Sequence, residues 1–410
     1  MGRHNFDEII ERRGTDSIKW QYLKSEVLPM WVADSDFKCP AELLESLEKR
    51  LRHGIFGYAL LDDMLEEAVA HWMQSRFGWR FGDGCVAQSP GVCTAFSLAL
   101  ESLTSSGDGI AAFTPSYPPL INLPARQGRV ALHCPLVRQP EGYAVNFADL
   151  EAKLALDRCS LLVLCNPHNP TGKVFSREEL LRMGELCLRH NVLIFSDEIH
   201  CDYVHKGRHC PIASLSPEIA SITLTAVNPS KTFNIAGLYA AAVISPNRDI
   251  LARFRQSHAR YSLHTNVMGA LALHTAYRQC AWYADEVAAY TRENLAYAVD
   301  FINRNVPAIK TVMPEGTYLL WADCSGLGLD QSGMVGFFLE KARVAPSPGW
   351  DFGPGGQTFV RLNLACPRSL AQTGLERIAA AAQTLRTQQT AVRQAQDSAE
   401  AGPDQPNGSD

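Results

Sequence analysis

The 410-residue sequence lacks the features that mark membrane proteins, exported proteins and nucleic-acid-binding proteins. No apolar run approaches the length of a membrane-spanning helix, and residues 1–30 contain no charged segment followed by an apolar one. Lysine and arginine number 38 against 43 acidic residues, and the resulting net charge of −5 offers no basic surface for nucleic acid. We therefore expect a cytoplasmic protein that binds neither membranes nor nucleic acid.

Paired cysteines are also missing, although the chain contains 12 cysteines. None of them forms a Cys-x-x-Cys pair, and most lie in apolar stretches, where a free thiol behaves as a small hydrophobic group. One cluster has enough candidate ligands for zinc: His200, Cys201, His205, His209 and Cys210. Gly207 argues against a helix that would bring His205 and His209 together, so we expect a connecting loop there and no metal site.

Length and hydrophobicity predict two domains. With 46% hydrophobic residues, a chain of this length can bury a large core and should divide in two. Apolar strands alternate with helical stretches, such as residues 177–190, from about residue 57 to residue 283. That alternation predicts a doubly wound α/β domain with a mostly parallel sheet.

The remaining segments predict a smaller α+β domain. A long helix is expected near residues 285–305, with strands at 317–321 and 358–363. The C-terminal segment has no apolar periodicity and is rich in Gln, Ala, Asp, Gly and Pro, which predicts disorder. The predicted divisions are a large domain at 46–284, a small domain at 1–45 and 285–387, and a tail at 388–410.

Three predicted strands end in polar residues of different chemical types. The strands lie at 161–165, 191–196 and 222–226. The polar residues that follow them are Asn169, Asp197 and Lys231, which supply an amide, a carboxylate and an amine. Continuous apolar runs indicate strands covered on both faces, as in a parallel sheet, whose ligands bind beyond the carboxyl ends of the strands. We therefore expect the three side chains to converge on one crevice.

These three groups suit pyridoxal 5'-phosphate. A lysine beside a turn is usually just exposed, but one held at the end of a buried strand has a lowered pKa and can form a Schiff base. A buried carboxylate such as Asp197 keeps the pyridine nitrogen protonated, which makes the ring an electron sink. An amide such as Asn169 can hold the phenolic oxygen. We predict pyridoxal 5'-phosphate as the cofactor and Lys231 as the catalytic residue.

The motifs around these residues resemble the fold-type I pyridoxal-phosphate enzymes, the aspartate aminotransferase superfamily. The shared segments are 166–172 (NPHNPTG), 196–200 (SDEIH), 229–238 (PSKTFNIAGL) and 359–363 (FVRLN). Within that superfamily the chain is similar to the cystathionine β-lyase branch, the MalY/PatB-type C–S lyases. The features specific to this branch are 29–34 (PMWVAD), Pro167-His168, His200 and 361–368 (RLNLACPR). The resemblance spans roughly residues 5–385 and implies an aspartate aminotransferase-like α/β fold.

The resemblance implies a phosphate site at the turn before the helix predicted from residue 94. The backbone amides of Val92 and Cys93 would bind the cofactor phosphate, and the hydroxyl of Ser230 would assist. On the sequence alone this segment is an ordinary strand-to-helix turn. Many aminotransferases have a phosphate-binding arginine eight residues after the lysine, where this chain has Tyr239, and that departure favours a lyase.

The resemblance also implies contacts to the cofactor ring and a second subunit. Tyr117 would stack on the ring, although by itself it reads as a turn tyrosine. His200 takes the place of a tyrosine that bonds the phenolic oxygen, with a structural histidine as the alternative. Tyr58 would reach the phosphate of a neighbouring subunit, which implies a homodimer with composite sites.

Substrate binding is expected at Arg361. Its guanidinium lies within an apolar strand and needs a carboxylate, either the substrate's α-carboxylate or an internal salt-bridge partner. The resemblance favours the substrate, with further contacts from Asn169 and the backbone of Ala33. Two positions depart from the usual pattern of the branch: Ser35, where methionine is frequent, and Asn228, where a small residue is usual.

The resemblance implies α,β-elimination of L-cystathionine or another L-cysteine S-conjugate, which yields pyruvate, ammonia and a thiol. An aminotransferase that acts on an L-amino acid and an oxo acid could use the same residues. A regulatory protein that acts through protein contacts is an alternative from a different class. The sequence does not identify the side chain beyond the sulfur atom.

Overall fold

The structure, a computed structural model, describes residues 2–400, which form two β-sheets and one hairpin covered by helices. The strands are β1 (Leu28–Met30), β2 (Val86–Ser89), β3 (Gly109–Thr114), β4 (Val130–Pro135), β5 (Val137–Gln139), β6 (Gly142–Ala144), β7 (Cys159–Cys165), β8 (Leu193–Asp197), β9 (Thr223–Val227), β10 (Ala241–Ile244), β11 (Lys310–Thr311), β12 (Leu319–Asp323), β13 (Val344–Pro348) and β14 (Phe359–Asn363).

Helices separate most of these strands. The α-helices are α1 (Ile18–Gln21), α2 (Ala41–His53), α3 (Asp62–Phe77), α4 (Val92–Leu103), α5 (Pro118–Arg126), α6 (Phe147–Leu154), α7 (Arg177–Arg189), α8 (Pro217–Ser221), α9 (Ser230–Phe233), α10 (Arg248–Arg260), α11 (Val267–Gln279), α12 (Ala281–Asn305), α13 (Gln331–Val335) and α14 (Arg368–Glu400). Within residues 2–400, no helix has both the length and the hydropathy to cross a membrane.

The larger sheet has seven strands in the order β2-β10-β9-β8-β7-β3-β4. Its pairs are parallel except those of β10, which runs antiparallel to β2 and β9. Side chains of β7 alternate between two cores: Val163 packs towards α4 and α10, and Leu164 packs towards α6 and α7. Covering both faces requires continuous apolar strands, and the predicted doubly wound, mostly parallel sheet is confirmed.

The register of this sheet aligns the strand ends that lead to the site. Cys165 at the end of β7 pairs with Asp197 at the end of β8, and Asp197 pairs with Ala226 near the end of β9. The loops that carry Asn169 and Lys231 therefore leave the sheet at the same edge as Asp197.

The smaller sheet has five strands in the order β1-β13-β14-β12-β11. β1 is parallel to β13, and the other pairs are antiparallel, with Trp321 of β12 opposite Arg361 of β14. α12 and α14 pack over this sheet. The exact domain boundaries stay predictions.

The prediction of a disordered tail from residue 388 is wrong for residues 388–400, because α14 continues to Glu400. The segment between Gly374 and Gly402 contains no glycine or proline and is rich in alanine, glutamine and arginine, which favour helix. Helix propensity therefore outweighs the missing apolar periodicity. Residues 401–410 of the predicted tail lie outside the described residues.

An N-terminal ion network fixes the loop at residues 31–36. Lys19, only 1% exposed, donates to Asp36 at 2.7 Å, and Arg12 bonds both Asp34 and Asp36. Burial alone would raise the pKa of Asp36, but Lys19, Trp20 and Arg12 together hold it below its ordinary value. A buried carboxylate with three donors stays ionised, so the loop that reaches the site is anchored by charge.

Candidate active site

Lys231 projects from the short helix α9, which follows β9 directly. Its Nζ donates to the backbone oxygen of Ala33 at 2.7 Å. The side chain of Asn228 accepts from the backbone N–H of Ser230 at 2.8 Å and so closes the turn that aims the lysine. Burial lowers the pKa of Lys231, and Asp34 offsets this only in part. A larger fraction of its amine is therefore neutral and nucleophilic at neutral pH.

Asp197 is a buried carboxylate, 3% exposed, at the end of β8. Its Oδ1 accepts from the backbone N–H of Ile199 at 3.1 Å, and no ion pair joins it to any residue between 2 and 400. Burial raises the pKa of Asp197 to about 7, with the neighbouring Glu198 adding to the effect. A cationic partner would favour its ionised form, and the protonated ring nitrogen of a pyridine cofactor is such a partner.

Because of Asp197, we expect the stability of the cofactor-free protein to depend on pH. Its pKa of about 7 in the folded state lies above the ordinary 3.8, so the folded protein binds this proton more tightly. The resulting stabilisation is complete below about pH 4 and is lost as pH rises through about 7. At about 1.4 kcal/mol per pH unit, the loss is at most about 4 kcal/mol. Denaturant unfolding of the cofactor-free protein across this range measures it.

Asp197→Asn removes the titrating group and should flatten this part of the pH profile. Asp285→Asn is the matched control, because the Asp285 side chain is 64% exposed and its removal should leave the slope unchanged. An unchanged slope in Asp197→Asn would assign the pH dependence to other groups.

Arg361 is a buried cation, 5% exposed, on β14. Its guanidinium donates to Asn169 Oδ1 at 2.9 Å, to the Trp31 carbonyl at 2.7 Å and to Ser347 Oγ at 3.0 Å. Its Nε has no partner, and among the described residues no carboxylate forms an ion pair with it. Burial lowers the pKa of Arg361 to about 10. The alternative of an internal salt bridge is therefore wrong for the described residues.

Asn169 joins the cofactor residues to the substrate residues. Its side chain is buried, 4% exposed, and its oxygen accepts from Arg361 as described above. Since the oxygen is engaged, the amide nitrogen of Asn169 is the atom that can donate to a ligand. The structure thus brings together Asn169 and Arg361, two of the residues assigned to the substrate.

The predicted phosphate cradle falls at the N-terminus of α4. Its N-cap, Gly91, has no side chain to cap the helix, so the first amides, those of Val92 and Cys93, are available to an anion. The hydroxyl of Tyr117 lies close enough to the Cys93 thiol for the two groups to interact, and burial raises the pKa of both. Cys93 is close enough to both Lys231 and Asp197 for their charges to act on its thiol, so the cradle belongs to the same site.

His200 is buried against the same crevice. Its ring meets that of Tyr318 edge-on, with the centroids 5.7 Å apart, and its Nδ1 has no partner in the part of the chain that the structure describes. Burial, followed by the charges of Lys231 and Arg361, holds the pKa of His200 well below its ordinary value. A neutral imidazole with an unpaired nitrogen fits a hydrogen bond to a ligand oxygen.

The other histidines of the candidate zinc cluster have protein partners. His209 forms a buried pair with Glu198 at 2.9 Å, and His205 bonds the carbonyl of Thr317 at 2.6 Å. Their segment is a connecting loop, as predicted. Over residues 2–400, no group of three or more potential ligands is arranged to hold a metal ion.

Tyr58, another predicted site residue, lies at the surface of the chain and not in the crevice. Its side chain is fully exposed, and it lines a surface recess with Gln88 and Thr265. Ile55, Phe56 and Leu60 beside it are also exposed.

Trp31 was expected to line the substrate mouth, but three other site residues were not predicted as such: Ser347, Tyr318 and Phe352. Ser347 donates to the Trp31 carbonyl at 2.8 Å, and Tyr318 donates to the Ala33 carbonyl at 2.9 Å. The ring of Phe352 lies under the Arg361 guanidinium, 4.9 Å away. No pattern in the sequence singles out these three.

Known proteins are similar to this chain in sequence and fold. The family model for aminotransferase class I and II matches residues 32–378. The chain is 43% identical to the cystathionine beta-lyase PatB of Bacillus subtilis (strain 168), over 92% of this chain and 99% of PatB. It is 33% identical to protein MalY of Escherichia coli (strain K12), over 90% of this chain and 97% of MalY.

A solved structure agrees with these matches. Cystalysin from Treponema denticola, whose crystal structure contains a pyridoxal 5'-phosphate cofactor, aligns with a TM-score of 0.90 at 34% identity. The alignment covers 93% of this chain and 99% of the cystalysin chain. The chain therefore belongs to the aminotransferase class I and II family and, within it, to the branch that includes PatB and MalY.

Proposed function

We propose that the protein catalyses pyridoxal-phosphate-dependent α,β-elimination of L-cystathionine or a related L-cysteine S-conjugate. The observation that carries this proposal is the set of unmatched charges in one crevice. Among residues 2–400, Arg361 is a buried cation without a carboxylate in ion-pair contact, and Asp197 is a buried carboxylate without an ion-pair partner. The amine of Lys231 lies in the same crevice. The 43% identity to a cystathionine beta-lyase supports a sulfur-containing substrate.

The residues fit the cofactor as follows. The amides of Val92 and Cys93 and the hydroxyl of Ser230 would hold the phosphate, and Tyr117 would cover one face of the ring. Asp197 would pair with the ring nitrogen, and Asn169 and His200 would bond the phenolic oxygen. When bound, pyridoxal 5'-phosphate supplies an electron sink for the negative charge that develops at the substrate's α-carbon.

The protein's own groups would bind the substrate and move its protons. Arg361 binds the α-carboxylate in a planar, two-pronged contact, and Ala33 lines the same end of the crevice. The neutral amine of Lys231 takes the proton from the α-carbon. The thiolate then leaves the β-carbon, and addition of one water gives pyruvate, ammonia and the thiol. Two different side chains thus bind the α-carboxylate and transfer the α-proton.

A homodimer would complete this site. Tyr58 is fully exposed in a single chain, and a second subunit would bury it beside that subunit's phosphate cradle. The exposed Ile55, Phe56 and Leu60 would pack in the same interface. The cytoplasmic location stays a prediction.

The purified, cofactor-loaded protein incubated with L-cystathionine, without any oxo acid, tests the proposed reaction. We expect pyruvate and free thiol in equal amounts, because each elimination releases one of each. Absence of pyruvate, together with conversion of the cofactor to its amine form, would identify an aminotransferase instead.

A further inference from the structure

The carbonyl oxygen of Ala33 accepts two hydrogen bonds inside the site. One comes from Lys231 Nζ at 2.7 Å and the other from the hydroxyl of Tyr318 at 2.9 Å. A carbonyl oxygen has two lone pairs, so these two donors fill its capacity. Tyr318 and Lys231 are therefore coupled through one atom.

The carbonyls on either side of Ala33 are held by other residues. Asn363 Nδ2 donates to both the Val32 and the Asp34 carbonyl at 2.6 Å, and Arg361 donates to the Trp31 carbonyl. When the amine of Lys231 moves to the substrate, Tyr318 is the remaining described donor to Ala33. The orientation of that carbonyl then depends on the tyrosine.

The backbone next to Tyr318 is strained. Thr317 has φ 68°, which is rare for a β-branched residue. Three hydrogen bonds hold it there: its N–H donates to the Tyr203 carbonyl at 2.8 Å, its carbonyl accepts from His205 at 2.6 Å, and its Oγ1 accepts from the Leu319 N–H at 3.1 Å. Strain of this kind persists where the surrounding structure enforces it, and it clusters at functional sites.

The side chain of Tyr318 has little freedom. It is fully buried, and its ring meets those of Tyr203 and His200 edge-on, at centroid distances of 4.8 and 5.7 Å. The strained backbone and the two ring contacts together fix the hydroxyl over Ala33.

We propose that Tyr318 is a positioning residue for Lys231, which holds the Ala33 carbonyl as the resting acceptor of the free amine. An amine that donates one N–H to a fixed oxygen keeps its lone pair in a restricted direction, and a proton-abstracting base needs that direction. This role rests on the proposed function, in which Lys231 takes the α-proton. Tyr318 itself need not touch the substrate.

Tyr318→Phe tests the role, with Tyr283→Phe as the matched control. Tyr283 is also fully buried, and its hydroxyl donates to the carbonyl of Lys38 in the same N-terminal segment at 2.8 Å. Both variants lose one buried hydrogen bond and should lose similar thermal stability. We expect Tyr318→Phe to lower kcat about tenfold with little change in KM, and Tyr283→Phe to leave both unchanged. A Tyr318→Phe enzyme with wild-type kcat would overturn the proposal.

Amine rescue separates positioning of Lys231 from any other action of Tyr318. In a Lys231→Ala background, added ethylamine can serve as the base, and the Tyr318→Phe substitution should then have no further effect on the rescued rate. A further tenfold loss in the double variant would show that Tyr318 acts independently of Lys231 and would contradict the proposal.

A third measurement does not require any turnover. Acylation of Lys231 in the cofactor-free full-length protein, followed by mass spectrometry, should be slower in Tyr318→Phe than in wild type or Tyr283→Phe. Equal rates would overturn the inference even if pyruvate forms. A slower rate without pyruvate formation would preserve it while the proposed reaction fails. If Tyr318→Phe does not fold, Thr317→Gly is the alternative variant, because it keeps the Tyr318 hydroxyl but relaxes the backbone that orients it. An unchanged kcat in that variant would count against the positioning role.

Discussion

Replacing Lys231 with alanine is expected to lower kcat/KM for L-cystathionine by at least about 10⁴-fold, the largest effect of any substitution in this chain. In the proposed function this amine takes the α-proton, and it is also the group that would attach the cofactor when the cofactor is bound. The other cation described in the crevice, Arg361, cannot replace it, because its pKa of about 10 keeps it protonated at neutral pH. Pyruvate release from L-cystathionine measures the loss.

Lys206→Ala is the matched control, since the Lys206 side chain is 69% exposed and lies 4.0 Å from Glu315. Its removal should leave the rate unchanged. A Lys231→Ala enzyme with substantial pyruvate formation would show that another group takes the α-proton. A biological role that acts only through protein contacts would survive Lys231→Ala, which distinguishes that alternative from catalysis.

The convergence of Asn169, Asp197 and Lys231 could be predicted because it depends on strand direction alone. Once the apolar runs are identified as parallel strands, their carboxyl ends must lie at one edge of the sheet. The register confirms this, with the end of β7 opposite Asp197 and Asp197 opposite Ala226. The local sequence is therefore enough to predict this part of the site.

The contacts that complete the site could not be predicted in this way. Arg361 bonds Asn169 across 192 positions of sequence, and Tyr318 bonds Ala33 across 285. The first pair depends on how the smaller sheet packs against the larger one, and the second on how the loop after β1 lies against the start of β12. No local period or motif encodes either arrangement. The strained φ of Thr317 is equally invisible, because threonine normally favours extended backbone.

The prediction of disorder for residues 388–400, which form the end of α14, was wrong for a different reason. Apolar periodicity reports burial against a core, whereas residues 391–394 and 396–397 of α14 are exposed. A polar sequence without glycine or proline can continue a helix that packing has already started, since adding a residue is far easier than nucleation. The missing apolar periodicity indicates that this segment does not pack against a core, but it does not exclude a helix.

Replacing Arg361 with methionine should lower kcat/KM by about 10²–10³-fold, because removing one side of a buried charge pair typically costs about 2–5 kcal/mol. The loss should depend on the substrate's carboxylate. Wild-type protein should prefer S-methyl-L-cysteine to its carboxamide by a similar factor, whereas Arg361→Met should treat the two alike. Arg304→Met is the control, since the Arg304 side chain is 75% exposed.

Stability provides a second test of the same assignment. Breaking an internal buried ion pair would leave a carboxylate uncompensated and cost about 3–5 kcal/mol of unfolding free energy. Arg361 has no carboxylate partner within residues 2–400, so Arg361→Met should lose less than about 2 kcal/mol, mainly from the unpaired Asn169 oxygen. A large loss of stability would mean that the arginine is structural. A large loss of activity with a small loss of stability would fit a cation that has no ion-pair partner in the folded protein and pairs with the substrate's α-carboxylate.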